Sequence, residues 1–265
     1  MNSVRFLFKD GKSKALTMSY DDGVVQDKRL IEIFNKHGIK GSFHINGGLF
    51  DAPGRCSKEE IKEVYTGHEV SCHGYTHPWL ERLAQMEVVN EILADKKALE
   101  DACGYIVRGM SYPFGTNSEQ VVSILSVLGM NYSRTTVSSG NFNPPENFLR
   151  WNPTCHHNDA RLMSLLEAFK KSNSELRIMY VWGHSYEFDN NKNWEIIEKF
   201  CEEASGDPSI WYATNIEIFD YVTATRRCEL SADRTMLYNP SAISVWVKID
   251  GEVIECKGGT VTKLD

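Results

Sequence analysis

The side chains able to do acid–base or metal chemistry gather in a few short stretches. Asp21 and Asp22 are adjacent in Ser19-Tyr20-Asp21-Asp22-Gly23, at the end of the apolar run Lys14–Tyr20. Neighbouring side chains on an extended strand point to opposite faces, so the two carboxylates divide the work. One can bind a metal ion while the other faces the reacting molecule. His73 and His77 follow in His73-Gly74-Tyr75-Thr76-His77-Pro78. Two imidazoles at this spacing converge on one ion if the chain coils after His73, and with one carboxylate they leave positions open for water or substrate. Zinc suits the nitrogens best; cobalt, manganese or nickel fit the same set. The corner Ser111-Tyr112-Pro113-Phe114-Gly115 offers a Phe114 N–H for an oxyanion and two rings, Tyr112 and Phe114, to flank a sugar. His184 ends the apolar run Arg177–His184 and can act as a general acid if held protonated. Arg134 ends another run, and one of the neighbours His156 and His157 should reach the same pocket. Each piece has a plainer reading: an Asp-Gly turn, two surface histidines, core aromatics. Their common placement argues for an enzyme, because His44, His73, His77, His156, His157 and His184, six of the eight histidines, lie at or just past the ends of apolar runs.

Those runs must be strands for the placement to matter. Strands are predicted at Lys14–Tyr20, Gly41–Asn46, His68–His73, Ile106–Tyr112, Met130–Thr135, Phe148–His156, Arg177–His184 and Ile210–Ala213. Helical patterns separate them. Leu30, Ile31 and Phe34 share one face, and Leu162, Leu165, Leu166 and Phe169 share another. Ser57 with Glu60, Thr116 with Glu119, and Thr214 with Glu217 read as capping boxes. Seven or eight β–α units in series predict an α/β fold with a parallel sheet, and the length suits a closed barrel. Carboxyl ends of barrel strands share one face, where active sites sit. Past Glu229 the pattern changes to alternating Val245, Val247 and Ile249, an Asp250-Gly251 turn, then Val253 and Ile254. Residues 1–228 are therefore expected to form the barrel and 229–265 a small β appendage.

Composition removes several function classes. The chain has 265 residues, 42% hydrophobic and 25% charged, which excludes wholesale disorder. A net charge of −7 without a basic run argues against nucleic acid as a partner. No apolar run reaches the ~18–20 residues of a membrane span. No glycine-rich G-x-G-x-x-G turn follows the first strand, against a dinucleotide cofactor. The N-terminus carries no secretory h-region, and the seven widely spaced cysteines contain no C-x-x-C. Reduced thiols and a cytoplasmic location are expected, though an export signal removed upstream is compatible with the sequence. Cys72 beside His73 and Cys155 beside His156 are expected to be buried thiols, since strand neighbours face apart.

In this order the motifs resemble the NodB-type polysaccharide deacetylases, carbohydrate esterase family four. SYDDG matches the family's T-F-D-D-G, HGYTH its H-[ST]-x-x-H, SYPFG part of its R-x-P-Y-G, and VWGHS its late Leu/Ile-x-His. The resemblance implies a distorted (β/α) barrel of about seven parallel strands. It implies Asp21 as base, Asp22, His73 and His77 as metal ligands, the Phe114 backbone at the oxyanion and His184 as acid. The implied activity is metal-dependent removal of acetyl groups from N-acetylated sugars or glycans, with zinc the first expectation and a carbohydrate the substrate. Tyr112, Phe114, Arg134 and His156 are expected to contact that substrate. Departures are clear. Gly74 replaces a Ser/Thr, and Ser111 stands where the family has the arginine that pairs with the base. Arg134 can supply that charge. The family's Asp-plus-Trp fourth motif has no match, and Trp151–Asp159 stands in its place. These departures leave two alternatives: an O-acetyl esterase or other amide hydrolase on the same metal site, and a catalytically inactive glycan-binding module.

Overall fold

A computed structural model describes residues 3–264. In chain order the strands are β1 (Arg5–Leu7), β2 (Lys14–Asp21), β3 (Gly41–Ile45), β4 (Glu69–Cys72), β5 (Gly109–Ser111), β6 (Tyr132–Arg134), β7 (Cys155–His156), β8 (Arg177–Gly183) and β9 (Ile210–Tyr212). The C-terminal strands are β10 (Glu229–Leu230), β11 (Met236–Asn239), β12 (Val245–Ile249), β13 (Glu252–Cys256) and β14 (Thr260–Lys263). The helices are α1 (Asp27–Lys36), α2 (Ile61–Val64), α3 (Gln85–Cys103), α4 (Glu119–Val127), α5 (Leu162–Lys171), α6 (Tyr186–Asn191), α7 (Trp194–Ala204) and α8 (Asn215–Arg227).

Seven parallel strands in the order β6-β5-β4-β3-β2-β8-β7 curl into a partial barrel. β2 is its central stave, buried at every position. It pairs with β8 along one edge; on the other edge its start pairs with β9 and its end with β3. The gap between β6 and β7 is filled by chain rather than by a ladder. Trp151 N–H bonds to Ser133 O (3.0 Å), Thr135 N–H to Trp151 O (3.0 Å) and Thr154 N–H to Tyr180 O (2.8 Å). The strand expected over Phe148–His156 is therefore corrected to a 3-10 turn at Phe148–Arg150, a bridge at Trp151 and a two-residue strand. Pro153 has no N–H to donate, which breaks the ladder there.

The helices form where the apolar period is 3.6. α1 buries Leu30, Ile31 and Phe34, and α5 buries Leu162, Leu166 and Phe169. Each such side chain contributes ~1.5–3 kcal/mol. The Thr214–Glu217 box caps α8 as expected, with Thr214 N–H on Glu217 Oε2 (2.8 Å). At α4 the cap is Ser118, which accepts from Val121 N–H (3.2 Å), and not Thr116.

The C-terminal strands form two three-stranded antiparallel sheets, β10-β11-β14 and β1-β12-β13. The β12–β13 hairpin turns at Asp250-Gly251, both with positive φ (49° and 97°), as a two-residue turn requires. The second sheet includes Arg5–Leu7 from the N-terminus, an antiparallel pairing across the whole chain that no local pattern announces. Leu237, Val245 and Val247 share a buried cluster with Tyr180, Ile218 and Tyr221, so these sheets pack directly on α8 and the barrel.

Candidate active site

Asp21 ends β2 with 2% of its surface exposed. One carboxylate oxygen is paired with the Arg134 guanidinium from the end of β6. The other accepts from Ser111 Oγ (3.0 Å) and lies 3.4 Å from His44 Nδ1. Burial pushes the Asp21 carboxyl up, but Arg134, His73 and His44 outweigh it and hold the group well below the usual carboxylate range. Asp22 follows with φ +86°, a left-handed turn that swings its side chain off the strand. Its N–H bonds to His44 O (2.8 Å), and Arg55 grips its carbonyl. The expected alternation of the two carboxylates across the strand is corrected: Asp22 lies past the end of β2, and Asp21 Oδ2 (3.8 Å) and Asp22 Oδ1 (4.0 Å) both approach His73 Nε2.

His73 lies just past β4 and His77 in the following loop, again at positive φ (60°). Ligand atoms of Asp22, His73 and His77 all lie within 4.8 Å of one another. His73 Nε2 is 3.1 Å from His77 Nε2, and each is 4.0 Å from Asp22 Oδ1. Ser111 fixes the tautomer. Its carbonyl only accepts, and it lies 3.0 Å from His73 Nδ1, so Nδ1 carries the proton and the Nε2 lone pair faces the cluster. Burial pushes His73 down to about 4, which keeps it neutral at pH 7. Two imidazole nitrogens and a carboxylate oxygen turned toward one point form a donor set that fits a divalent cation.

On the opposite wall, His184 follows β8 and Glu187 sits one turn later on α6. Glu187 Oε1 lies 2.9 Å from His184 Nδ1, while His156 Nε2 and His157 Nε2 lie 3.2 and 2.9 Å from Oε2. Burial works against the charge of Glu187, but the three imidazoles hold its carboxyl far below the ordinary range. Burial likewise opposes protonation of His184, yet Glu187, Asp21 and Asp22 raise its pKa. The buried His157 is pushed down to about 4. His156, His157 and Glu187 are also close enough for a second ion. However, Asn158 N–H donates to His156 Nδ1 (3.1 Å), placing the proton of neutral His156 on Nε2, which faces the carboxylate. That arrangement is imidazole–carboxylate contact, not a ligand set.

The sequence profile of the polysaccharide deacetylases matches residues 8–133. The matched stretch, just under half of the chain, is similar to that family. Peptidoglycan-N-acetylglucosamine deacetylase PgdA of Listeria monocytogenes is 29% identical over 127 residues, 47% of this chain but 26% of that protein. Chitin deacetylase 1 of Cryptococcus neoformans is 28% identical over 116 residues, 43% of this chain and 24% of that protein. The match thus spans about a quarter of the length of these relatives. In three dimensions, a Mycobacterium smegmatis protein assigned to the polysaccharide deacetylases covers 85% of this chain and 96% of its own, with TM-score 0.66 and 16% identity. That likeness carries the fold beyond the stretch matched by the sequence profile.

Against the family pattern, the structure brings Asp21, Asp22, His73, His77, Phe114 and His184 to one end of the barrel. The Phe114 ring packs edge-on against His77 (centroids 4.5 Å apart). Arg134 stands on Asp21, supplying the charge the corner lacks. It is wholly buried, so the expected substrate contact through it is corrected to an ion pair inside the protein. Tyr112 is corrected as well: it is 1% exposed and donates its hydroxyl to Leu149 O (2.7 Å), which makes it a core residue. His156 is half-buried, with Nε2 turned to Glu187. Trp79 stacks on Phe114 at 3.9 Å and 3° between planes, an aromatic wall the sequence reading missed. Glu187 was missed too. Its signal was present, a carboxylate three residues beyond a histidine at a helix start.

Proposed function

We propose that the protein is a metal-dependent deacetylase that hydrolyses the acetamide of an N-acetylated sugar in a glycan and releases acetate. The observation that carries this reading is the convergence of Asp22, His73 and His77 beside a separate buried carboxylate, Asp21. Those three would hold the ion, zinc first and cobalt, manganese or nickel as substitutes. A divalent ion supplies acidity to a bound water and polarises a carbonyl. Asp21, held ionised by Arg134, accepts the proton of the attacking water. The Phe114 N–H donates to the developing oxyanion, a contribution of about 3–4 kcal/mol for a well-placed donor. His184, held protonated by Glu187, gives its proton to the departing amine, which is otherwise a poor leaving group. Phe114, 45% exposed, and Trp79 form the wall nearest the ligand loop and offer an apolar face to a sugar ring. The alternative of an inactive glycan-binding module gains nothing from the geometry, since base and acid each have the partner their charge state needs.

The test is acetate release from N-acetylglucosamine oligomers by protein stripped of metal and then reloaded with zinc. Asp22→Asn is expected to lose metal and activity together. Full activity and full metal content in that variant overturn the reading. Faster acetate release from O-acetylated than from N-acetylated substrates replaces it with the esterase on the same site.

A further inference from the structure

α3 runs beneath the metal-ligand loop with an apolar stripe at Val88, Ile92, Leu99 and Cys103. Asp95 falls on the same stripe and is completely buried. A carboxylate in that position is expensive to hold. Its partners are N–H groups of two turns and the Cys72 thiol rather than cations. Oδ1 accepts from Gly47 (2.6 Å), just past β3, and Oδ2 accepts from His73 (2.9 Å), just past β4. The same two turns are tied from the other side by Asn46, whose side-chain amide donates to the carbonyls of His73 (2.8 Å) and Gly74 (2.8 Å). Approach this close requires a glycine at 47: a Cβ there would lie 2.7 Å from Ala98 Cβ and 3.1 Å from Asp95 Oδ1.

His73 is therefore fixed at three points. Its N–H is shared between Asp95 Oδ2 (2.9 Å) and Ile45 O (3.1 Å), its carbonyl is held by Asn46 and its Nδ1 by Ser111, so the direction of Nε2 is set before any ion arrives. We infer that Asp95 is a positioning residue for the metal centre, spent on aiming His73 and not on holding the fold together. This rests on the metal-site reading above. A helix–loop contact needed only for stability is served as well by a neutral acceptor. A carboxyl group offers two oxygens, one to each turn, and outer-shell groups that orient a ligand in this way set metal affinity.

The experiment compares the metal-free wild type with Asp95→Asn and Asp95→Ser. Zinc is titrated calorimetrically, and the thermal midpoint is read without metal. Asparagine keeps the shape and one acceptor but turns an amide toward the other N–H. The expected result is a zinc affinity lower by about 10–100-fold, with a metal-free midpoint equal to the wild type or higher. Equal zinc affinity in wild type and both variants overturns the role of Asp95 alone. If the wild type binds no divalent ion, the reading of the centre fails and this inference with it. If neither variant folds, Asp95 is a structural residue and the inference is likewise overturned.

Discussion

Glu187 accepts from His184 Nδ1 at 2.9 Å and also faces two further imidazoles, an arrangement that only the folded chain assembles. Its negative charge favours the protonated form of His184, whose pKa lies above the ordinary histidine value despite burial. Replacing Glu187 with glutamine removes that charge and keeps the volume. The pKa of His184 then drops, so the acid is lost at a lower pH and the alkaline limb of the kcat–pH profile moves toward acid. At neutral pH, kcat should fall by much of the roughly 10²–10⁴-fold that a positioned acid contributes, while zinc content stays at the wild-type level. Steady-state acetate release across pH, with metal analysis, reads both quantities; an unmoved alkaline limb would show that Glu187 does not govern the acid. Asp21, Asp22, His73, His77 and His184 were legible in the sequence because each lies in a short local pattern. Glu187 was legible only as a carboxylate three residues past His184; its contacts with His156 and His157, about 30 residues earlier, were not. Arg134 was named as a stand-in for the arginine that pairs with the base, and it does stand on Asp21, 113 residues earlier in the chain.

At the scale of elements, strands with long apolar runs were read within a residue or two of their true limits, β2 and β8 above all. Among the short ones, β4, β6 and β9 were read equally well, but β5 and β7 were not. β5 keeps three residues and β7 two, because barrel curvature and Pro153 break the ladder where composition still looks strand-like. The turn after β8 shows how an element positions chemistry. Gly183 ends that strand, and a Cβ there would lie 2.0 Å from His157 Nδ1. The His157 ring is itself clamped by Phe188, stacked at 4.2 Å, and by Tyr20 at 5.7 Å. It has no space to yield, so Gly183→Ala must displace the ring or bend β8. The expected cost is about 1–3 kcal/mol, together with reduced kcat because the support of Glu187 shifts. Urea unfolding and kinetics on the same preparation measure both. A variant with wild-type stability and rate would show that the histidine pair moves freely.

Across the whole molecule, the barrel was legible from its alternation of strands and helices, and the C-terminal hairpin from its Asp-Gly turn. The pairing of β1 with β12 was not, because antiparallel contact between the two ends of a chain leaves no periodic trace in either. The fold's dependence on pH follows from a group far from the chemistry. His68 is 9% exposed beneath Phe43 and Phe34. Its Nδ1 accepts the Gly41 N–H (3.0 Å), and Nε2 lies 3.1 Å from Asn35 Oδ1, a pattern only the neutral ring satisfies. Burial pushes its pKa down to about 4, from the ordinary value of 6.5. Above pH 6.5 the ring is neutral in both folded and unfolded chains and has no effect on the pH dependence. Below it the unfolded chain takes up a proton that the folded one refuses, so stability falls until the folded pKa is reached near 4. Between pH 7 and 4.5 this one group removes about 2–3 kcal/mol. His68→Gln deletes the titration, so wild type should lose that much more stability than the variant over the same interval, measured by urea unfolding at both pH values. Carboxylates elsewhere titrate equally in the two proteins and cancel in the difference. Parallel losses would mean that the ring takes a proton inside the folded core, and that Asn35 and Gly41 do not hold it neutral.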